Sequence, residues 1–211
     1  MKKFAANLIS VILIPLLAPV YLFSIEIFYF SGLIPDFVLQ NKFLSIVLIF
    51  SATTILPFIF VFILYKLKNI SSLTLEKRED RFFPQLFSSF VYIVISFTLI
   101  FLLGIRNTLS LSMISVTVSL ILITFLTSYW KISTHSSGAM GMLTIISILF
   151  YKYPSSQFLV PYLIILFLMI YVCYARYYLR VHTLNQVLAG CLLGLTIGIT
   201  LFLFTTLNTY R

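Results

Sequence analysis

Charge is scarce in this chain. Only 9% of its 211 residues are Asp, Glu, Lys or Arg, against roughly 25% in an ordinary soluble domain. That scarcity excludes a soluble globular domain and a disordered chain, both of which need a solvated polar surface. Acids are rarest, at five. Cysteine is limited to Cys173 and Cys191, both in apolar segments, which indicates neither a disulfide framework nor a zinc site. The 14 Lys and Arg exceed the acids and give a net charge of +9. They are dispersed between apolar runs, however, and make no continuous stripe for a phosphate backbone, so no nucleic-acid partner is expected. What the chain has in abundance is apolar surface: 61% hydrophobic residues and a mean hydropathy of +1.12. The expected fold is all-α, a polytopic transmembrane helical bundle.

A helix needs about 20 apolar residues to cross a bilayer. Such runs extend over about 8–30 (interrupted by Pro15 and Pro19), 44–65 (containing Pro57), 86–105, 109–129, 139–153, 158–174 and 187–207. Six to seven spans are expected, the first and the short fifth being the least regular. No appended domain or linker stands out, so residues 1–211 read as a single transmembrane domain. Gly190, Gly194 and Gly198 recur at four-residue spacing in the last span. Such a stripe lets another backbone approach closely: internal packing is the first reading, and a homodimer through the three glycines is the second.

With seven spans, the polar connections 66–84, 130–138 and 175–186 are each two spans apart and share one side of the membrane. They hold both histidines, His135 and His182, with Lys77, Arg78, Arg81, Lys131, Arg176 and Arg180. Individually, basic residues at helix ends are usually topology signals or snorkelling side chains. Two histidines sharing a rim with six cations suggest more. Guanidinium groups and helix N termini bind phosphate oxygens. A neutral histidine can attack phosphorus, and a second can protonate the leaving oxygen. Of the acids only Glu76, Glu79 and Asp80 approach this rim, so no two-metal site is evident, and neither metal nor cofactor is expected. If a helix starts near His182, Gln186 lies on the same face four residues on. Its amide oxygen can then accept from His182 Nδ1–H, leaving Nε2 as the nucleophile. Ser133, Thr134 and His135 stand just before a helix expected from about Ser136, whose free N–H groups would form an anion pocket.

These residues resemble the motifs of the type 2 phosphatidic acid phosphatase superfamily, which also includes vanadium-dependent haloperoxidases. Its pattern is Lys-x6-Arg-Pro, Pro-Ser-Gly-His and Ser-Arg-x5-His-x3-Asp. In this chain ARYYLRVHTLNQ carries Arg176, His182 and Gln186. ISTH carries Ser133 and His135. KREDRFFP carries Lys77, Arg81 and Pro84, with the lysine four residues before the arginine instead of seven. Ala175, Ile132 and Thr134 replace the pattern's serine, proline and glycine, and Gln186 replaces its aspartate. The resemblance covers residues 77–186. It implies an integral membrane lipid phosphatase acting on a lipid phosphate or diphosphate monoester. His182 would be the nucleophile, His135 the acid and Gln186 the orienting group. Lys77, Arg81, Ser133 and Arg176 would hold the phosphate. Glutamine can orient a histidine but adds no charge, so a non-catalytic lipid-phosphate-binding protein of the same fold is the alternative. A transporter would need more polar residues within the spans than the single acid Glu26.

Ten of the 14 Lys and Arg fall on the motif side, against Lys42, Arg106, Lys152 and Arg211 on the other. The positive-inside rule then points the motifs to the cytoplasm. Setting aside the six candidate phosphate contacts leaves four against four. The resemblance favours an extracytoplasmic site in a bacterial cytoplasmic membrane.

Overall fold

The computed structural model describes residues 2–75, 77–105 and 107–207. Glu76, named above as an acid near the rim, and Arg106 and Arg211, counted on the opposite side, lie outside the described residues. Among the described residues ten α-helices follow one another: α1 (Lys2–Ile12), α2 (Ala18–Tyr29), α3 (Asp36–Gln40), α4 (Lys42–Phe50), α5 (Leu56–Lys66), α6 (Phe82–Leu103), α7 (Thr108–Thr127), α8 (Thr134–Lys152), α9 (Ser156–Tyr178) and α10 (Leu184–Leu207). No strand occurs among the described residues. α1 and α2 form one traverse, broken where Pro15 opens a 3-10 turn because it lacks the N–H that a continuing helix requires. α4 and α5 form another, joined through a π-helical turn, Ser51–Ile55, just ahead of Pro57. Gly104, at φ 82°, ends α6 in a conformation that side chains with a Cβ resist. Asn107 then caps α7 by accepting from Leu109 N–H at 3.0 Å.

Among the described residues five stretches are long and apolar enough to cross a membrane: Ala6–Tyr29, Lys42–Lys66, Glu79–Leu103, Thr108–Thr127 and Ser156–Tyr178. Their outward faces stay apolar, with Phe101 89% exposed, as suits a hydrocarbon solvent rather than water. α8 and α10 complete the polytopic bundle. The fifth expected span is longer than its sequence suggested, 19 residues in α8, because Ser133 starts the helix before its apolar run begins. The described apolar part of α10 is shorter, Leu184–Thr200. Leu22, Met142, Ile146, Phe158 and Val172 bring α2, α8 and α9 into one core. A second core joins α2, α4, α6 and α7 around Phe23, Ile49, Tyr92 and Met113. Glu26 is fully buried between α2 and α7, where it accepts from Ser112 Oγ.

The α8–α10 contact is made by the glycine stripe. A Cβ on Gly190 would lie 2.5 Å from the Ser133 carbonyl oxygen, and one on Gly194 would lie 2.7 Å from Gly141 N. At Gly198 the nearest atom is a side-chain methyl, Thr144 Cγ2, at 3.0 Å. The stripe is thus occupied inside the chain, as the internal-packing reading expected, and a dimer formed through it would first have to displace α8. Its effect is to bring the start of α8 against the start of α10, where Ser133 N–H donates to the Gln186 carbonyl at 3.3 Å.

Candidate active site

Three helix ends meet at the motif face. The first is the start of α6. Arg81 is 7% exposed and its Nε–H donates to the Leu75 carbonyl at 2.8 Å. Leu75 itself adopts φ 52°, which folds the 66–80 connection back over the guanidinium. That connection is pinned by Asp80, which accepts from Ser71 N–H at 2.9 Å and from Ser71 Oγ. One turn further along α6, Gln85 Nε2 reaches Thr134 Oγ1 at 3.5 Å and ties α6 to α8.

The second end is the start of α8. Ser133 is its N-cap: Oγ accepts from Ser136 N–H at 3.3 Å and lies 2.8 Å from Ser136 Oγ. The helix begins at Thr134, two residues earlier than the sequence suggested, because the hydroxyl of Ser133 satisfies an amide that otherwise lacks an intrahelical partner. His135 therefore sits in the first turn rather than ahead of it. Its Nε2 stands 3.1 Å from the Ser10 carbonyl oxygen. This carbonyl is near the end of α1, where the break at Pro15 leaves acceptors without helical donors. Tyr21 Oη donates to another of them, Ile12 O, at 2.8 Å.

The third end is the loop from α9 to α10. Arg180 takes φ 55° and turns the chain out of α9. His182 N–H then donates back to the Arg176 carbonyl at 3.3 Å, closing the Arg-x5-His segment on itself. α10 starts at Leu184, so His182 precedes the helix and does not share a helical face with Gln186. The expected contact forms nonetheless: His182 Nδ1 lies 3.1 Å from Gln186 Oε1. The reason is a capping box. Thr183 N–H donates to the same Gln186 oxygen at 3.1 Å, and Gln186 N–H donates to Thr183 Oγ1 at 3.4 Å. A backbone N–H can only donate, so it fixes which end of the Gln186 amide faces the histidine. The oxygen faces it, Nδ1 carries the proton, and Nε2 is the unprotonated nitrogen of the neutral ring.

The charges around that ring have one sign. His182 is 5% exposed, and burial, followed by the Arg81 and Arg176 guanidinium groups, lowers its pKa to about 4. It is neutral at physiological pH. Arg176 and Arg81 act on each other, and both act on His135 along with His182. Arg176 Nε is buried with no hydrogen-bond partner among the described residues. An orphaned guanidinium donor between like charges calls for an anion.

The fold thus gathers Arg81, Ser133, His135, Arg176, His182 and Gln186. Lys77 is not brought there: it is exposed and its charge acts on Asp80. The loop that clamps Arg81 carries Lys77 outward. Lys131, one of the six rim cations but not among the phosphate-holding residues the resemblance implies, is half-buried and acts on His182. Its place two residues before Ser133 was the available signal. Arg78 donates to the Tyr129 carbonyl at 3.0 Å and stands 3.9 Å from Glu79, and Arg180 is exposed. Among the described residues no group of three or more His, Cys, Asp or Glu side chains stands together as a metal site.

No curated protein and no solved structure matches the chain. One family does: residues 107–210 match the PAP2 superfamily. That segment runs from the cap of α7 through α10 and carries Ser133, His135, Arg176, His182 and Gln186, while Arg81 comes from outside it. The match supports a phosphatase-type activity, since the superfamily generally comprises phosphatases. Residues 107–210 thus belong to the PAP2 superfamily, the superfamily that the sequence motifs resemble.

Proposed function

We propose that the protein hydrolyses a phosphate or diphosphate monoester on a lipid anchor, through a phosphohistidine on His182 and without a metal ion. The observation that carries this reading is the hydrogen bond from His182 Nδ1–H to Gln186 Oε1, which leaves Nε2 as a neutral nucleophile beside two arginines. Arg81 and Arg176 hold the non-bridging oxygens, the unpartnered Nε–H of Arg176 among the donors. Lys131 and the first amides of α8 add positive potential. Nε2 attacks phosphorus and the bond to the lipid oxygen breaks. His135 keeps Nε2–H on the Ser10 carbonyl, so the proton it gives to the leaving oxygen is carried on Nδ1; the phosphate dianion favours that imidazolium. Water then attacks phosphorus, the P–N bond breaks and inorganic phosphate leaves. Guanidinium and amide groups are donors and do not ligate cations, which supports the metal-free route.

A membrane-borne substrate is supported by a groove of about 520 Å³ between α6 and α7, lined by Phe82, Leu86, Phe90, Ile93, Ile121 and Phe125. It begins one residue after Arg81. Phe82 to Ile93 covers about 16 Å of helix, close to half of a hydrocarbon core of about 30 Å. We place the protein in a bacterial cytoplasmic membrane with the site facing out of the cytoplasm. A non-catalytic lipid-phosphate binder is the second reading, favoured by the missing negative charge at residue 186. Phosphate release from phosphatidate and a prenyl diphosphate, measured in detergent with and without EDTA, separates the two. The catalytic reading expects turnover that survives chelation. Binding of the same lipids without release would establish the second reading, and release lost to EDTA and restored by Mg²⁺ would overturn the metal-free route.

A further inference from the structure

Cys173 and Cys191 take no part in the phosphate cluster. Eighteen residues apart, they lie on α9 and α10, and the loop between these helices returns their sulfurs to 3.6 Å of each other as free thiols. Their depths match. Cys173 is five residues before the end of α9, about 7.5 Å below it, and Cys191 is seven residues into α10, about 10 Å below its start. A disulfide needs about 2.05 Å between sulfurs, so closing the pair takes about 1.5 Å of relative movement. Both side chains are half-buried. Their helix neighbours Ile170, Tyr174, Leu188 and Leu192 are all at least half exposed on the apolar surface, so the pair is approached from hydrocarbon rather than from water. Ser136, whose hydroxyl contacts the α8 cap Ser133, lies beside Cys173.

We propose that Cys173 and Cys191 are a redox pair, closed by an apolar organic hydroperoxide into an intrachain disulfide that joins α9 to α10 directly beneath the phosphate cluster. One sulfur, as thiolate, attacks the distal peroxide oxygen. The O–O bond breaks, the alkoxide leaves and takes up a proton as alcohol, and the sulfur, oxidised by two electrons, becomes a sulfenic acid. The second sulfur attacks the first, the S–S bond forms, the S–O bond breaks, and hydroxide leaves with a proton as water. Two thiols and one hydroperoxide give one disulfide, one alcohol and one water. Proximity makes the second step intramolecular, which protects the sulfenic acid from further oxidation.

The test uses the full chain, purified reduced in detergent and exposed to cumene hydroperoxide. It is then denatured, labelled with N-ethylmaleimide and weighed intact. The wild type should lose two hydrogens and carry no maleimide, and dithiothreitol should restore two labels. Cys173→Ser and Cys191→Ser should each trap dimedone as a sulfenic acid and lose no hydrogens. Hydrogen peroxide, which partitions poorly into hydrocarbon, should close the wild-type pair more slowly at equal concentration. Two labels retained after cumene hydroperoxide treatment, disulfide-linked dimers on a non-reducing gel, or sulfonic acids in place of the disulfide would each overturn the pair. Equal or faster closure by hydrogen peroxide would overturn the apolar oxidant.

Discussion

At the scale of single residues the site depends on two tautomers, each set by one oxygen. Gln186 sets that of His182, and its own orientation is enforced by Thr183 N–H. Gln186→Glu keeps the capping box and adds a negative charge beside the ring. That charge favours the imidazolium and raises the histidine pKa from about 4. Attack requires the neutral ring, so kcat/KM is full above the pKa and falls as pH drops through it. The acidic limb of the profile should therefore move upward in Gln186→Glu, with the rate at high pH at least equal to wild type. Gln186→Leu fixes no tautomer and should lose about 10²–10⁴-fold at every pH. Wild-type turnover in Gln186→Leu would remove the nucleophile assignment along with it. The two histidines separate by leaving group. His135→Ala should be partly rescued by an activated aryl phosphate, whose leaving oxygen needs no proton, whereas His182→Ala should remain inactive on it. Equal rescue of both would contradict their roles.

At the scale of elements the decisive contact is α8 on α10. Gly194→Ala sets a methyl group against the backbone of Gly141 and Ser137 and should cost about 1–3 kcal/mol, while prising Ser133 from Gln186. Gly198→Ala meets Thr144 Cγ2 at 3.0 Å and Cβ at 3.1 Å, with the nearest backbone atom, Gly141 O, at 3.6 Å, so a shift of a few tenths of an ångström accommodates it. Thermal unfolding and phosphate release should both fall sharply in the first variant and little in the second; equal effects would mean that the stripe does not position the site. The loop ahead of α10 offers the opposite sign. Arg180 is exposed and held at φ 55°, a conformation costing a side chain about 1 kcal/mol. Arg180→Gly should raise Tm by about 2–4 °C, and a lower Tm would show that the arginine contributes more than the backbone loses. The sequence made part of this visible. Glycines at four-residue spacing announce a close neighbour but do not say which helix it is. The His182–Gln186 contact was legible from spacing, though it forms through a helix cap rather than a helical face. Lys77 misled, since nothing in KREDRFFP reveals that Leu75 folds back to hold Arg81 and turns the lysine outward.

At the scale of the whole molecule the site is assembled from α1, α6, α8, α9 and the start of α10, so its completeness exceeds what any contiguous motif could declare. Ser10 and His135 are 125 residues apart, and the cysteines fall in different spans. Neither pairing leaves a periodic trace in the sequence, because only the bundle's three-dimensional closure creates it. Sidedness is likewise a property of the whole. In a background with Cys173 and Cys191 both changed to Ser, a cysteine placed at exposed Ser71 should react with an impermeant maleimide applied outside intact cells, and one at exposed Tyr151 should not. The reverse pattern would put the phosphate cluster in the cytoplasm.

The bond between His135 and the Ser10 carbonyl also has a schedule. Ser10 is made first, and at about 5–20 residues per second its partner follows roughly 6–25 s later. A carbonyl stranded in hydrocarbon costs several kcal/mol, so α1 gains a reason to settle into its final depth only once α8 has emerged. α1 and α2, made well before α8, are then among the last elements to be locked in place, and a nascent protein stalled before residue 135 carries an α1–α2 traverse that has not yet been told where to stop.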